Sequence, residues 1–419
     1  MIAEWNEITF GQLCTLRAGS AFKIQYQGRP AGDFPFIKVS DMNLAGNEIC
    51  VRESNHWIDE VVRAEIKAKP FPEGTTVFAK IGEALKQNRV RFLARDTIID
   101  NNMMGAIPNR DVVDARFLYY RLSEFDFAAT STGTALPYLT VSTLAASRFR
   151  IPLLPTQRKI ATILSAYDDL IENNLRRIKI LEEMAQNLYR EWFVKFRFPG
   201  HQNAHFTNSP LGRIPEAWKV VKIPAAVQVR PKLPVSKHER VAFVPMGSLS
   251  ETSMLIGDVE YRSNATGARF QNGDTLFARI TPCLENGKTG FIQFLPTDDT
   301  VACGSTEFIV LRSKTVCPEY VYLMARSDLF RDNAIKSMSG ATGRQRVREE
   351  CFDQFLLAQP PDAILERFQM ATRPQFEMIH SLNHRNQTLH RTRDLLLPRL
   401  ISGEVDVSDL NITIPEETV

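Results

Sequence analysis

Apolar side chains recur along the middle of the chain at steps that alternate between four and three residues. They fall at Ile160, Leu164, Tyr167, Ile171, Ile178, Leu181, Ala185, Leu188 and Trp192, and one polar residue, Asn174, keeps the spacing. A repeat of 3.5 residues is the seam of a coiled coil, and it predicts one helix over residues 156–196 with Thr156 as its N-cap. At ~1.5 Å per residue such a helix rises roughly 60 Å. The same pattern returns 208 positions later, at Phe368, Thr372, Gln375, Ile379, Leu382, Asn386, Leu389, Arg393, Leu396 and Leu400. This second seam is more polar, and Pro374 is expected to kink or delay its first half. A single apolar stripe marks any buried helix face. Two at matching places in the two halves of one chain point to a duplication.

The stretches before the helices read as short strands, turns and a few helices, and they match each other. Gly74-Thr-Thr-Val-Phe-Ala-Lys-Ile81 aligns with Gly273-Asp-Thr-Leu-Phe-Ala-Arg-Ile280, Phe36-Ile37 with Phe243-Val244, and Phe117-Leu-Tyr119 with Tyr320-Val-Tyr322. A polar loop at Ser131-Thr-Gly133 finds its counterpart at Met338-Ser-Gly-Ala-Thr-Gly343. The order is therefore globule, helix, globule, helix. The fold class this predicts is α+β: two similar domains of mixed strands and helices, separated by two long helices that pair as an antiparallel coiled coil with an internal pseudo-two-fold axis. The expected boundaries are 1–154 for the first globule, 155–197 for its helix, 198–211 for a linker, 212–360 for the second globule, 361–403 for its helix and 404–419 for a tail. In that antiparallel register Asn174 and Asn386 oppose each other near the middle of the coil, a pairing that costs stability and fixes register.

Composition narrows the chemistry. At 419 residues with 44% hydrophobic and 24% charged content the chain suits two or three ordinary domains. A net charge of only +3 confines any nucleic-acid surface to local patches. Six scattered cysteines without a C-x-x-C pair point to reduced thiols in the cytoplasm rather than zinc or a disulfide frame. The first ten residues do not form a signal peptide, and the absence of an apolar run of about 18 residues argues against a membrane span. No Gly-rich nucleotide loop, nucleophile elbow or H-E-x-x-H motif occurs, so no catalytic or metal site is expected in this chain.

Basic residues do cluster in matching places. In the first globule Lys80, Lys86, Arg89 and Arg91 lie in or after the Phe-Ala-Lys-Ile strand; in the second, Arg279 and Lys288 take the same strand and hairpin. The loop after Gly340 adds Arg344, Gln345, Arg346 and Arg348, where the first globule offers Thr134 and Tyr138. Arg reads guanine and Gln or Asn reads adenine in the major groove, while Lys mostly holds phosphate. Different residues on one scaffold would read different bases. Near the end of the first helix Tyr189, Trp192 and Phe193 are candidates either for partner contact or for closing the coil.

With these elements in hand, the chain resembles the specificity (S) subunit of a type I restriction–modification system over essentially its whole length. The motifs that carry the resemblance are Leu188-Tyr-Arg-Glu-Trp-Phe193, Gly212-Arg-Ile-Pro-Glu-Ala-Trp218, Gly340-Ala-Thr-Gly343 and Leu395-Leu-Leu-Pro-Arg-Leu-Ile-Ser-Gly-Glu404, in that order. The resemblance implies two target-recognition domains, each reading one half of a bipartite site in double-stranded DNA. It implies helices that set the spacing and dock two methyltransferase (M) subunits, which restriction (R) subunits join. It also implies a subunit that is not itself an enzyme: the adenine methylation and its S-adenosylmethionine belong to the M partner, and ATP and Mg to the R partner. A coiled-coil adaptor that bridges proteins without base readout is the alternative.

Overall fold

The computed structural model describes residues 5–44, 46–133, 137–234, 240–341 and 343–414. The chain divides into two compact units, one of residues 1–173 with 386–419 and one of residues 174–385. Each unit therefore takes a continuous globule plus a piece of both long helices, and neither unit coincides with a single segment of the expected division.

The first unit is built on a five-stranded sheet in the order Cys14–Ala18, Met103–Pro108, Thr76–Ala79, Val90–Leu93, Cys50–Val51. A three-stranded sheet follows, in which Phe34–Ile37 lies between Trp57–Ile58 and the parallel strand Ile98–Ile99. Trp5–Thr9 pairs antiparallel with Arg148–Pro152 and delivers the chain to the first long helix. The expected strand at Thr75–Ile81 is Thr76–Ala79, and every one of its side chains is buried. Gly74 precedes it at φ +86°, and Gly273 precedes the equivalent strand at φ +83°. Both turns use a left-handed residue, which glycine adopts without steric cost.

The second unit repeats the central pairings of this plan, with four strands in each of its two main sheets where the first unit has five and three. Thr275–Ala278 sits between Phe308–Ser313 and Thr289–Phe291, as Thr76–Ala79 sits between Met103–Pro108 and Val90–Leu93. Arg240–Val244 runs parallel to Ala302–Gly304, as Phe34–Ile37 does to Ile98–Ile99. Lys219–Lys222 pairs with Leu356–Gln359, as Trp5–Thr9 does with Arg148–Pro152. The helices Ala115–Ser123 and Pro318–Arg326 follow matching strands. The internal repeat read from sequence is thus a repeat of topology.

The long helices span Leu154–Tyr189, ending in a π turn over Arg190–Val194, and Asp362–Ser402. The first starts two residues before the expected cap: Thr156 already lies inside the opening turn, its N–H bonded to the Leu153 carbonyl. Gln157 anchors that turn instead, accepting from the Asp114 N–H at 3.0 Å and donating to the Val112 and Pro152 carbonyls. Of the predicted seam, Ile160, Leu164, Ile171, Asn174, Ile178, Ala185 and Trp192 are buried, as are Phe368, Thr372, Ile379, Leu382, Asn386 and Leu400. The helix segments run antiparallel within each unit. In the first, Asn386 Nδ2 donates to the Ile171 carbonyl at 3.3 Å and Arg393 meets Asp168 at 2.8 Å; in the second, Trp192 packs on Phe368.

Two expectations are corrected here. Pro374 neither delays nor interrupts the second helix, which is continuous from Asp362. Pro374 and Met370, the residue whose carbonyl its missing N–H would have bonded, both face solvent, so water can satisfy that carbonyl. Buried Phe376 then takes the seam place expected of half-buried Gln375. Residues 198–211 are not a bare linker either: Phe198 is buried and Phe206–Ser209 forms a hairpin with Gly212–Pro215.

Candidate nucleic-acid interface

Each unit brings the end of its central strand together with one late loop, by backbone pairing that is identical in the two. In the first, the Lys80 N–H bonds the Asn102 carbonyl at 2.9 Å, Leu139 N–H bonds the Lys80 carbonyl at 2.9 Å, and Gly82 N–H bonds the Pro137 carbonyl at 3.0 Å. In the second, Arg279 N–H bonds the Glu307 carbonyl at 3.0 Å, Val347 N–H bonds the Arg279 carbonyl at 2.9 Å, and Thr281 N–H bonds the Gln345 carbonyl at 3.1 Å. Bridges join Ile81 to Tyr138 and Ile280 to Arg346. Lys80, Asn102 and Tyr138 therefore stand where Arg279, Glu307 and Arg346 stand. Sequence alignment anticipated the first of these equivalences and placed Tyr138 and Arg346 on corresponding loops. It missed Asn102 and Glu307, because they differ in type and lie 22 and 28 residues beyond the strand residue they pair with.

The second unit carries a ladder of alternating charge at this place. Arg346 lays its Nε and Nη2 edge on Glu307, with contacts of 2.7–3.0 Å. Arg279 bonds Glu307 through Nε at 3.2 Å and Glu349 through Nη1 at 2.9 Å, and Arg230 reaches Glu349 at 2.9 Å. The bonds from Arg346 and, next, Arg279 hold the Glu307 carboxyl below the usual carboxylate range against the opposing effect of burial. The side chain of Arg346 is 46% exposed and that of Arg279 only 21%. Arg344 and Arg348 are exposed on the same loop, Arg348 with Nε on the Ser339 hydroxyl, while Gln345 is half-buried and spends its carbonyl on Thr281. Lys288 is half-buried with its ammonium 3.4 Å from the Met246 carbonyl.

In the first unit Tyr138 is 47% exposed and Lys80 half-buried beside it; Thr134 lies outside the described residues. Lys86 pairs with Glu83 and Arg89 with Gln87 on the neighbouring short helix and turn. Arg91 is not a reader. Its guanidinium is turned inward to the Met42 carbonyl at 2.9 and 3.1 Å and to the Val90 carbonyl, and burial lowers its pKa. Arg279, with both edges engaged inside the ladder, is likewise a strut more than a reader.

Tyr189, Trp192 and Phe193 are corrected as partner contacts: all three are buried in the core of the second unit. Phe193 packs on Trp218, Tyr320 and Phe368, and Tyr189 on Tyr320. This also accounts for the Gly212–Trp218 motif, since Trp218 closes that aromatic cluster with Phe196 and Phe198. Asn174 and Asn386 are buried in the helix seam. No helix among the described residues is long and apolar enough to cross a membrane.

Comparison with known proteins agrees with this architecture. Residues 2–183 match the family model described as the type I restriction modification DNA specificity domain. The chain is 24% identical to the type I restriction enzyme MjaIX specificity subunit of Methanocaldococcus jannaschii, over 97% of this chain and 95% of that one. It is 24% identical to the HindI specificity subunit of Haemophilus influenzae, over 87% and 96%. The crystal structure of a type I restriction–modification S subunit from M. genitalium superposes with a TM-score of 0.58 at 11% identity, covering 95% of this chain and 96% of that one, and so shares its fold. Over most of its length the chain is thus similar to type I restriction–modification specificity subunits.

Proposed function

We propose that this chain is the DNA-recognition subunit of a type I restriction–modification complex, each unit reading one half of a bipartite site in double-stranded DNA. The observation that carries the reading is the duplicated strand-and-loop scaffold, which presents different side chains, Tyr138 and Arg346, at one equivalent bridge. A scaffold built twice with its exposed chemistry changed suits two different base sequences. The chain itself supplies readout and spacing. Two methyltransferase subunits dock on the long helices and bring S-adenosylmethionine, and restriction subunits bring ATP and Mg. Good bidentate base contacts discriminate by about 1–3 kcal/mol each, and several of them over two half-sites make a rare target.

The test is a genome-wide map of modified adenines in host cells with the gene intact and deleted. A two-part motif that disappears on deletion is the expected result. A map that does not change, in cells shown to express the methyltransferase, would refute the reading and favour an adaptor without base preference.

A further inference from the structure

The charge ladder of the second unit divides labour between its arginines. A guanidinium has five N–H donors in a fixed fork. Arg346 commits its side edge, Nε and Nη2, to the two oxygens of Glu307. The Nη1 end lies outside that fork, and an end-on pair of N–H groups is what O6 and N7 of a guanine accept in the major groove. Arg279 differs: its Nε goes to Glu307 and its Nη1 to Glu349, so both edges are consumed. An arginine side chain left to itself samples many rotamers, and ordering it on binding costs free energy. A carboxylate already gripping its inner edge removes most of that cost and fixes the plane in which the outer edge points.

We infer that Glu307 is a specificity-determining residue that positions Arg346 to read one guanine in the half-site of the second unit. The inference rests on the proposed DNA-recognition function and extends it to a residue that carries no positive charge. Glu307 holds Arg346 on one side and is itself held by Arg279, which Glu349 braces in turn. The equivalent place in the first unit is the exposed Asn102, whose backbone N–H donates to Asp100 at 2.9 Å and whose side-chain amide lies 3.5 Å from the same carboxylate, with Tyr138 in place of Arg346. Among the described residues that place holds no such fork, so the guanine dependence set by Glu307 belongs to the second half-site.

The experiment selects from randomised duplex DNA with the assembled methyltransferase complex, using the wild-type chain, Glu307→Gln, Glu307→Asp and Arg346→Lys. The wild type is expected to enrich a two-part motif; no motif at all would sink the DNA-recognition reading before the present inference is reached. Given that motif, Glu307→Gln and Arg346→Lys are expected to relax the same single guanine position by about tenfold or more. The first half-site should stay intact and report that the chain is folded, and Glu307→Asp should recover part of the discrimination. Two results would overturn the inference: Glu307→Gln leaving every position of the second half-site unchanged, or Glu307→Gln relaxing a position that Arg346→Lys does not touch, which would make Glu307 a reader in its own right.

Discussion

Partly buried ionisable residues in this chain hold helices and loops, and each carries its own signature of burial. Glu182, on the first long helix, accepts from the Ser253 hydroxyl at 2.7 Å and the Met254 N–H at 2.6 Å, tying a loop of the second unit to the helix. Burial pushes its pKa up, and these two bonds together with the charge of Arg326 only partly offset it. A carboxyl whose pKa is raised on folding contributes stability below its unfolded value and loses it as pH climbs through the folded one. Glu182→Gln keeps an acceptor and removes the charge. It should therefore melt higher than wild type at pH 8, with the gap closing near pH 4; thermal scans at both pH values that show Glu182→Gln melting lower at pH 8 would contradict this. Arg393 illustrates the opposite balance. Burial works against its charge, yet its bonds to Asp168 and Asp394 raise its pKa, and Tyr120 completes the site by donating to Asp168 at 2.6 Å. A charged residue at a seam position of the helix is thereby satisfied.

At the scale of elements, local periodicity was a sound guide and long-range pairing was out of its reach. Heptad spacing marked the two helix seams nearly residue by residue, because burial along a helix follows its own repeat. The strands before Ala79 and Ala278 were readable from a short apolar run behind a glycine turn. Asn102 and Glu307 were not, since only backbone pairing between distant segments brings them beside Lys80 and Arg279, and no repeat of residue type survives there. Arg91 misled for a related reason: a basic residue in a basic cluster carries no mark that its guanidinium will be spent on the Met42 carbonyl. Pro374 misled differently. Proline inside a helix removes one hydrogen bond and crowds the carbonyl four residues back, but both ends of that defect are exposed here, and packing by Phe368, Thr372, Phe376 and Ile379 holds the helix regardless. The cost remains in the folded state. Pro374→Ala should stabilise the protein by about 1–3 kcal/mol, less whatever proline contributes by restricting the unfolded chain. Denaturant titration of the two proteins measures it, and a destabilised alanine variant would mean that Pro374 has a packing role its exposure does not reveal.

For the whole molecule, the arrangement separates what is read from where it is read. Each globule carries its own core, sheets and late loop, while both long helices pass without a break from the residues of one unit into those of the other, at Asn173–Asn174 and Arg385–Asn386. Under the proposed function those helices set the gap between half-sites, and the gap should respond to their length alone. Inserting seven residues with the same apolar spacing into both helices at these two junctions preserves the seam, because seven is one full repeat of its pattern. The insertion adds about 10 Å of helix, equivalent to roughly three base pairs of duplex at about 3.4 Å each. The modified-adenine map of cells carrying the lengthened chain should show the same two half-sites with a longer spacer between them. Matched insertion matters: seven residues in one helix alone would break the pairing in one unit and should abolish modification. A lengthened chain that modifies the original site with its original spacer would show that the helices do not set the distance, and one that modifies a site with altered half-sites would show that readout depends on the coil.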